Sequence, residues 1–364
     1  MMSKEPLVIE NGTFYSRWNK SNASAAFIQK DETYLVWPGP KNQEEQENSL
    51  HCLHIYNLSQ MKKELVIETG DSAITLVTTY PKNARFDSKK YLICANDFGV
   101  LFIYDIQNQG NKFEELLKFN TNSKIGILSA VIFDDPYDDL EKKEKNEYVI
   151  VSFEDYLMQI HIYQINWENK EKVGLIKVIQ NPLEKHCCLM DYYNDKNLKR
   201  SFLVFGFQTS IRLYNLKEDH WGKDFKLKGH PTSLIIFDKK EIWKGDEIIK
   251  KYLIFSQAND SITLVDLDAG IIIYNFSNAT IKYVNDLCFW NEEENLMVVS
   301  VQNENSIKLL RLSDWQIMFS KEVTPYNAIN CLKVLVKNKT SRLFEEKIVV
   351  CQKGKNHRIL IFEL

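Results

Sequence analysis

A six-residue phrase recurs seven times along the chain and limits the possible fold more than any other feature. Its pattern is aliphatic, any residue, aliphatic, bulky apolar, usually polar, aliphatic, as in LHIYNL, LFIYDI and IRLYNL. The fourth residues of the seven copies are Tyr56, Tyr104, Tyr163, Tyr214, Val265, Leu310 and Phe362. They are separated by 48, 59, 51, 51, 45 and 52 residues. Repetition of a unit of about fifty residues is typical of a propeller or a solenoid.

The segments between the copies predict short β-strands and no recurring helix. The stretch from Ala73 reads AITLVTTYP, KKYLICAND, GVLFIYDI and FEELLKFNT, and polar turn residues separate these runs. Several runs are apolar at consecutive positions, which is expected of strands that are covered on both faces. Four strands per unit predict propeller blades and exclude the helical solenoids.

The two ends of the chain predict how the fold is completed. The last unit supplies three strands, NCLKVLV, EKIVVCQK and RILIFEL, while an extra strand, PLVIEN, precedes the first full unit. We therefore predict an all-β, seven-bladed β-propeller with four antiparallel strands per blade in one domain, residues 1–364. The strand at residues 6–11 would complete the blade formed by residues 328–364, and residues 38–49 would form a flexible insertion.

The repeated phrase also predicts equivalent packing positions. Tyr56, Tyr104, Tyr163 and Tyr214 occupy its fourth position. We expect all four side chains to be mostly buried between blades.

The order of the strands resembles the WD-repeat family over the whole chain. In that family the third strand usually ends in Trp-Asp, whereas here the pair is replaced, for example by Tyr56-Asn57 or Val265-Asp266. The Gly-His pair that precedes a blade is matched by Gly229-His230 ahead of the fifth blade. The resemblance is to the architecture, identifies no subfamily and implies a protein that binds other proteins.

Charge and hydropathy exclude several kinds of partner. The net charge is −3 and the lysines form no basic stripe, so we expect no nucleic acid partner. No apolar run has the length of a signal peptide or a membrane span, which predicts an intracellular, cytoplasmic protein without membrane insertion, and the nucleus stays open. The sequence carries no strong signal for a homo-oligomer.

No residue pattern points to catalysis. His51 and His54 are three apart in a predicted strand and would face opposite ways, and the same holds for the adjacent Cys187 and Cys188. The acidic stretch Asp134–Glu147 lacks the spacing of a calcium loop. We therefore predict no catalytic, cofactor-binding or metal-binding residues, no cofactor, and a protein that is not an enzyme.

Loop lengths suggest where a partner binds. Long loops between first and second strands are predicted at Asp134–Glu147, Asp238–Lys250 and Lys337–Glu346. The second of these contains Ile242 and Trp243, and a neighbouring turn places Trp221 on the same face of the propeller. Large aromatic side chains in charged loops are typical of binding hot spots, so Trp243, Ile242 and Trp221 are the predicted partner-binding residues. Ile248 and Ile249 are expected to cap the blade.

These observations favour a non-catalytic scaffold subunit that mediates protein–protein interactions in a multi-protein complex. The alternative is an accessory or catalytic subunit of an enzyme complex, for example in RNA modification, that uses the propeller face or channel. Fold alone does not decide between them.

Overall fold

In the computed structural model, the apolar runs of the sequence form antiparallel β-strands. The structure describes residues 7–10, 25–29, 32–39, 51–60, 62–70, 72–80, 91–106, 113–134, 147–153, 159–167, 173–180, 187–195, 200–243, 246–258, 261–277, 281, 283–291, 295–301, 304–323, 328–336, 346–353 and 358–363. The first thirteen strands are β1 (Leu7–Glu10), β2 (Ala25–Gln29), β3 (Glu32–Gly39), β4 (Cys52–Asn57), β5 (Lys62–Glu68), β6 (Ile74–Tyr80), β7 (Tyr91–Asn96), β8 (Val100–Asp105), β9 (Glu114–Asn120), β10 (Ile127–Asp134), β11 (Glu147–Phe153), β12 (Gln159–Ile165) and β13 (Gly174–Gln180). The remaining strands are β14 (Cys187–Asp195), β15 (Arg200–Phe207), β16 (Ser210–Asn215), β17 (His220–Lys226), β18 (Pro231–Trp243), β19 (Asp246–Gln257), β20 (Ile262–Asp266), β21 (Ile271–Phe276), β22 (Val284–Asn291), β23 (Leu296–Val301), β24 (Ser306–Arg311), β25 (Gln316–Glu322), β26 (Ala328–Val336), β27 (Glu346–Lys353) and β28 (Arg358–Glu363).

Consecutive strands form six four-stranded antiparallel blades. Their strand orders are β2-β3-β4-β5, β6-β7-β8-β9, β10-β11-β12-β13, β14-β15-β16-β17, β18-β19-β20-β21 and β22-β23-β24-β25. First strands of successive blades contact one another, as β2 and β6 do, and β18 and β22. The fourth strand of each blade therefore lies at the opposite edge of its sheet, and we refer to it as the outer strand.

The chain divides into two compact units, which we describe separately. Unit 1 comprises Met1–His186 and Lys333–Leu364, and unit 2 comprises Cys187–Leu332. Blades 1 to 3 lie in unit 1, and blades 4 to 6 lie in unit 2. In each unit the buried core lies between successive blades, because each apolar cluster draws its side chains from two neighbouring sheets.

The prediction of seven equivalent blades is wrong. Only the six blades of consecutive strands each lie wholly within one compact unit. The terminal strands form a further four-stranded sheet in the order β1-β28-β27-β26, but its strand β26 crosses from one unit to the other. We therefore describe an all-β propeller with six four-stranded antiparallel blades, and a sheet that joins the two ends of the chain.

The predicted pairing of the chain ends is present within that terminal sheet. β1 pairs antiparallel with β28, with Leu7 opposite Ile361, Val8 opposite Leu360 and Ile9 opposite Ile359. Nothing in the structure tests the single domain that we predict for residues 1–364. Of the predicted insertion at residues 38–49, Pro38 and Gly39 belong to β3, and the rest lies outside the described residues.

The fourth position of the repeated phrase has the same backbone environment in all six blades. At Tyr56, Tyr104, Tyr163, Tyr214, Val265 and Leu310 the pairing with the outer strand shifts register by a β-bulge. Such bulges bend a strand and increase its twist. The predicted equivalence of these positions is therefore confirmed by the strand register.

Burial of the phrase tyrosines follows the prediction most closely in three blades. Tyr104, Tyr163 and Tyr214 are 2%, 5% and 4% exposed, whereas Tyr56 is more exposed than these three. Its ring centroid lies 6.2 Å from that of Trp37 within its own blade.

Two threonines connect successive blades in a way that the sequence pattern does not reveal. Thr75 and Thr232 are the bulged second residues of β6 and β18. The Thr75 hydroxyl donates to the carbonyl of Ile127, the first residue of the next blade, at 2.8 Å. The Thr232 hydroxyl donates to the carbonyl of Val284, also the first residue of the next blade, at 2.6 Å. One such bond thus occurs inside each unit.

Replacement of the phrase tyrosines by alanine tests this packing. We expect Tyr104→Ala to lower the free energy of unfolding by about 3 kcal/mol, since a large buried side chain is removed and leaves a cavity. The more exposed Tyr56 serves as the matched position, and Tyr56→Ala should cost about half as much. Denaturant unfolding measures both, and equal losses for the two variants would contradict the burial difference.

Candidate interaction site

The first hairpin of blade 5 continues beyond its sheet. β20 pairs with β19 only between Tyr252 and Ser256, while β18 and β19 stay paired as far as Trp243 and Asp246. Residues Asp238–Trp243 and Asp246–Lys251 therefore form a two-stranded extension of six residue pairs. At about 3.3 Å per residue it reaches roughly 20 Å. We refer to these two segments as the arm.

The predicted long loop at Asp238–Lys250 is therefore wrong. The sequence DKKEIW followed by DEIIKK lacks the apolar alternation of a strand that covers a core. None of the described side chains of the arm is fully buried, and its charges pair with one another. The Lys240 ammonium, for example, lies 2.6 Å from a Glu247 carboxylate oxygen on the opposite strand.

One side of the arm's base is fixed around Glu241. The Tyr252 hydroxyl donates to Glu241 Oε1 at 2.6 Å, and Lys250 Nζ lies 3.4 Å from Glu241 Oε2. Lys250 Nζ also lies 3.6 Å from Asp266 Oδ2 on β20. Because an isolated two-stranded hairpin is only marginally stable in water, these bonds between the arm and the body of the blade stabilise its extended form.

The other side of the base is fixed by Asp238 and Asp268. Lys251 Nζ lies 2.6 Å from Asp238 Oδ1, and the backbone N–H of Lys251 donates to Asp268 Oδ2 at 3.2 Å. Asp268 also accepts a hydrogen bond from the Tyr193 hydroxyl at 2.9 Å, and Lys251 Nζ lies 5.4 Å from the centroid of the Tyr193 ring. The arm is thus attached to blade 4 as well as to its own blade.

The hydrogen bonds at the base shift two pKa values. The hydrogen bond from Tyr252 lowers the pKa of Glu241, and the ammonium groups of Lys250 and Lys239 lower it further. Burial raises the pKa of Tyr252, and its hydrogen bond to Glu241 raises it further. At neutral pH the pair is therefore held as an ionised carboxylate and a neutral phenol.

An apolar side chain projects from the arm into solvent. Ile249 is 56% exposed, and its cross-strand partner Lys240 and the nearby Glu247 are exposed as well. Ile248 is partly buried. The expectation that Ile249 caps the blade is therefore wrong.

The three predicted partner-binding residues lie on two different strands. Ile242 and Trp243 are the last two residues of strand β18, where they pair with Glu247 and Asp246, and their side chains lie outside the described residues. Trp221 belongs to β17 and not to a turn. As partner-binding residues, all three stay a prediction.

The ring of Trp221 packs within its own blade. Its centroid lies 5.5 Å from that of Phe205, 5.9 Å from that of Phe207 and 5.1 Å from that of Tyr214. Packing therefore accounts for a tryptophan at this position, because the three rings that it contacts are all buried. Trp221 is therefore a poorer candidate anchor than a residue of the arm.

Sequence reasoning missed the residues that hold the arm. Glu241, Tyr252 and Asp268 carry most of the bonds at its base. The available signal was the pair Lys239 and Glu241, which are two apart and so share one face of a strand. Lys250 and Tyr252, which contact Glu241, lie on β19, and Asp268 lies in the turn after β20. No local pattern identifies these residues.

His54, which was weighed as a metal ligand, and Cys187, which was weighed as half of a redox pair, both lie in packed surroundings. His54 is 8% exposed, with its ring centroid 5.9 Å from that of Trp37, and Cys187 is buried. Across the described ranges, no group of three or more His, Cys, Asp and Glu residues is placed to hold a metal ion. The described part of the chain likewise contains no helix that is long and apolar enough to cross a membrane.

Comparison with known proteins adds no family to this description. No family model matches the chain, and no curated protein matches it significantly. The four-stranded blades alone define the class of this structure, which is the β-propeller.

The charges at the base of the arm predict a response to pH. The pKa of Glu241 is lower in the folded protein than the value of about 4.3 that is usual for an unfolded Glu. Its contribution to stability is therefore present above that value and is lost as the pH falls through the depressed folded pKa. We expect the amides of Asp246–Lys251 to exchange faster as the pH falls below about 4, after correction for intrinsic exchange rates.

The variant Glu241→Gln should show faster exchange in the arm already at neutral pH, with a smaller further increase in acid than wild type. Glu247→Gln is the matched control, because its ion pair with Lys240 is largely exposed and such pairs contribute little. Hydrogen exchange measured by mass spectrometry or NMR distinguishes the two variants. Equal exchange in Glu241→Gln and wild type at neutral pH would contradict the role of Glu241.

Proposed function

We propose that this protein is a non-catalytic scaffold subunit that binds another protein through the arm of blade 5. The observation that carries the proposal is the solvent-exposed Ile249 on a hairpin whose base is fixed by bonds to its own blade and to blade 4. Membership of the WD-repeat family belongs to the same proposal, supported by the strand order and by Gly229-His230. The proposal includes an intracellular location, most simply the cytoplasm, and the absence of enzymatic activity.

The physical argument rests on rigidity and exposure together. Ordering a mobile loop on binding costs conformational entropy, whereas a pre-formed hairpin has already lost that entropy. The cross-strand register runs without a shift from Ser233 to Trp243, so the arm presents its side chains at fixed positions. An apolar residue surrounded by charged ones resembles the centre of an interface with a polar rim.

The arm offers three apolar positions to a partner. Ile249 is exposed, and the strand register places position 242 diagonally next to it across the hairpin. Position 243 is the last pair before the turn of the hairpin. A few aromatic or aliphatic anchors dominate typical interfaces. Positions 242 and 249 share one face of the hairpin and position 243 belongs to the other, so a partner that uses all three must enclose the tip of the arm.

Paired substitutions test the proposal. We expect Trp243→Ala and Ile249→Ala each to weaken binding of the partner by roughly 2 kcal/mol or more, with little change in melting temperature. Wild type and variants are purified by affinity from native cells, co-purified proteins are quantified by mass spectrometry, and thermal unfolding is recorded in parallel.

The matched control is Ile176→Ala, because Ile176 is 52% exposed on β13 in unit 1. It should leave both the partners and the melting temperature unchanged. A loss of stability in Trp243→Ala with partners retained would assign this residue to packing. If neither arm variant changes the set of partners, the arm is not the binding site.

A further inference from the structure

The outer strand of blade 5 exposes four consecutive large apolar side chains. In β21, Ile271, Ile272, Ile273 and Tyr274 are 55%, 50%, 47% and 43% exposed. Consecutive residues of a strand face opposite ways, so both faces of β21 present apolar surface to solvent. β21 is the edge of its sheet, and half of its backbone N–H and C=O groups therefore point away from β20.

Charge separates β21 from the equivalent strands. The sequence IIIYNF contains no charged residue. Each of the other five outer strands carries at least one: Lys62, Lys63, Glu64 and Glu68 in β5, Glu114, Glu115 and Lys118 in β9, Lys177 in β13, Lys223, Asp224 and Lys226 in β17, and Lys321 and Glu322 in β25. Charged side chains, lysine above all, protect natural edge strands from pairing with other chains. β21 lacks this protection.

The conformation of β21 is fixed before any partner arrives. The Trp315 ring stacks on Tyr274 at 4.6 Å between centroids and on Phe276 at 5.4 Å. Phe276 is buried and anchors the end of the strand. A pre-formed edge strand loses little entropy when another strand adds to it.

We propose that β21 pairs antiparallel with β21 of a second copy of this chain, which joins two blades into one eight-stranded sheet across a two-fold axis. An isologous contact of this kind sets a strand against its own reversed sequence. A strand without charges meets that requirement, because no like charges come to lie opposite each other and no charge loses its hydration. The net charge of only −3 on the whole protein gives little repulsion between copies.

The size and the shape of the contact set its strength. The apolar surface of this contact comes from one short strand. Its area is smaller than that of the interface in a stable dimer. The bulge at Ile273 also twists the edge and limits how far the pairing can extend. We therefore expect a dimer that dissociates on dilution.

Sedimentation velocity over a wide range of protein concentration tests this pairing on the full chain. Wild type should pass from monomer to dimer as concentration rises, and Ile272→Lys should raise the dissociation constant at least about tenfold, since a charge is placed on the pairing edge. Ile272→Val retains a β-branched apolar side chain and should dimerise as wild type does. Ile176→Lys on β13 is the matched control, because Ile176 is equally exposed on an outer strand that already carries Lys177, and it should also dimerise as wild type does.

Hydrogen exchange identifies the strand that pairs. At high concentration the amides of β21 should gain protection in wild type and in Ile176→Lys, but not in Ile272→Lys. The proposal is overturned if wild type stays monomeric, if Ile272→Lys dimerises as well as wild type, or if protection appears elsewhere and not in β21. The arm is not part of this test, so its outcome is independent of partner binding by Ile249 and Trp243.

Discussion

Burial of the third strand on both faces, which five of the six blades show, is the constraint on which the rest of the structure depends. β4, β8, β16, β20 and β24 are buried at most positions, whereas the outer strands β5, β9 and β25 largely alternate between exposed and partly buried residues. A sheet covers neither of its own faces, so a third strand of this kind requires neighbouring sheets, and within each unit the apolar clusters lie between successive blades. The apolar pattern of the repeated phrase follows from that requirement. Its aliphatic positions and its bulky fourth position are apolar because each of them meets a neighbour.

The same constraint explains which parts of the fold could be predicted. Strands that touch a core carry an apolar pattern, so the order of strands in the six blades follows from the sequence. None of the described side chains of the arm is fully buried, and its highly charged sequence therefore predicts a loop. Its cross-strand contacts join charged groups such as Lys240 and Glu247, and no local pattern distinguishes these from the charges of a solvated turn. Trp221 was misplaced for a related reason, since the glycine and the charges around it concealed a strand of the blade.

Details of the strand register could not be predicted from the sequence either. The bulges at Thr75 and Thr232 direct one hydroxyl toward the next blade, but a bulge changes neither the composition nor the apolar period of a strand. The count of equivalent blades depended on where the compact units divide, and β26 spans that division. For the candidate site, the predicted residues Ile242 and Trp243 lie on the same hairpin as Ile249, and their role in binding stays a prediction. The bonds that hold the hairpin come from residues distant in sequence, namely Tyr193, Asp266 and Asp268.

The turn between β20 and β21 links the two exposed features of blade 5. Asp266 begins this turn, where its Oδ1 accepts the backbone N–H of Ala269 at 2.8 Å and its Oδ2 faces Lys250 of the arm. Asp268, two residues on, accepts from Lys251 and Tyr193, and Gly270 then adopts a φ of 66° that leads directly into β21. A side chain at that position would meet both the strain of a positive φ and the stem of Lys223, 3.0 Å away. The base of the arm and the start of the uncharged edge strand are therefore held by one turn, and the geometry of each depends on the same two carboxylates.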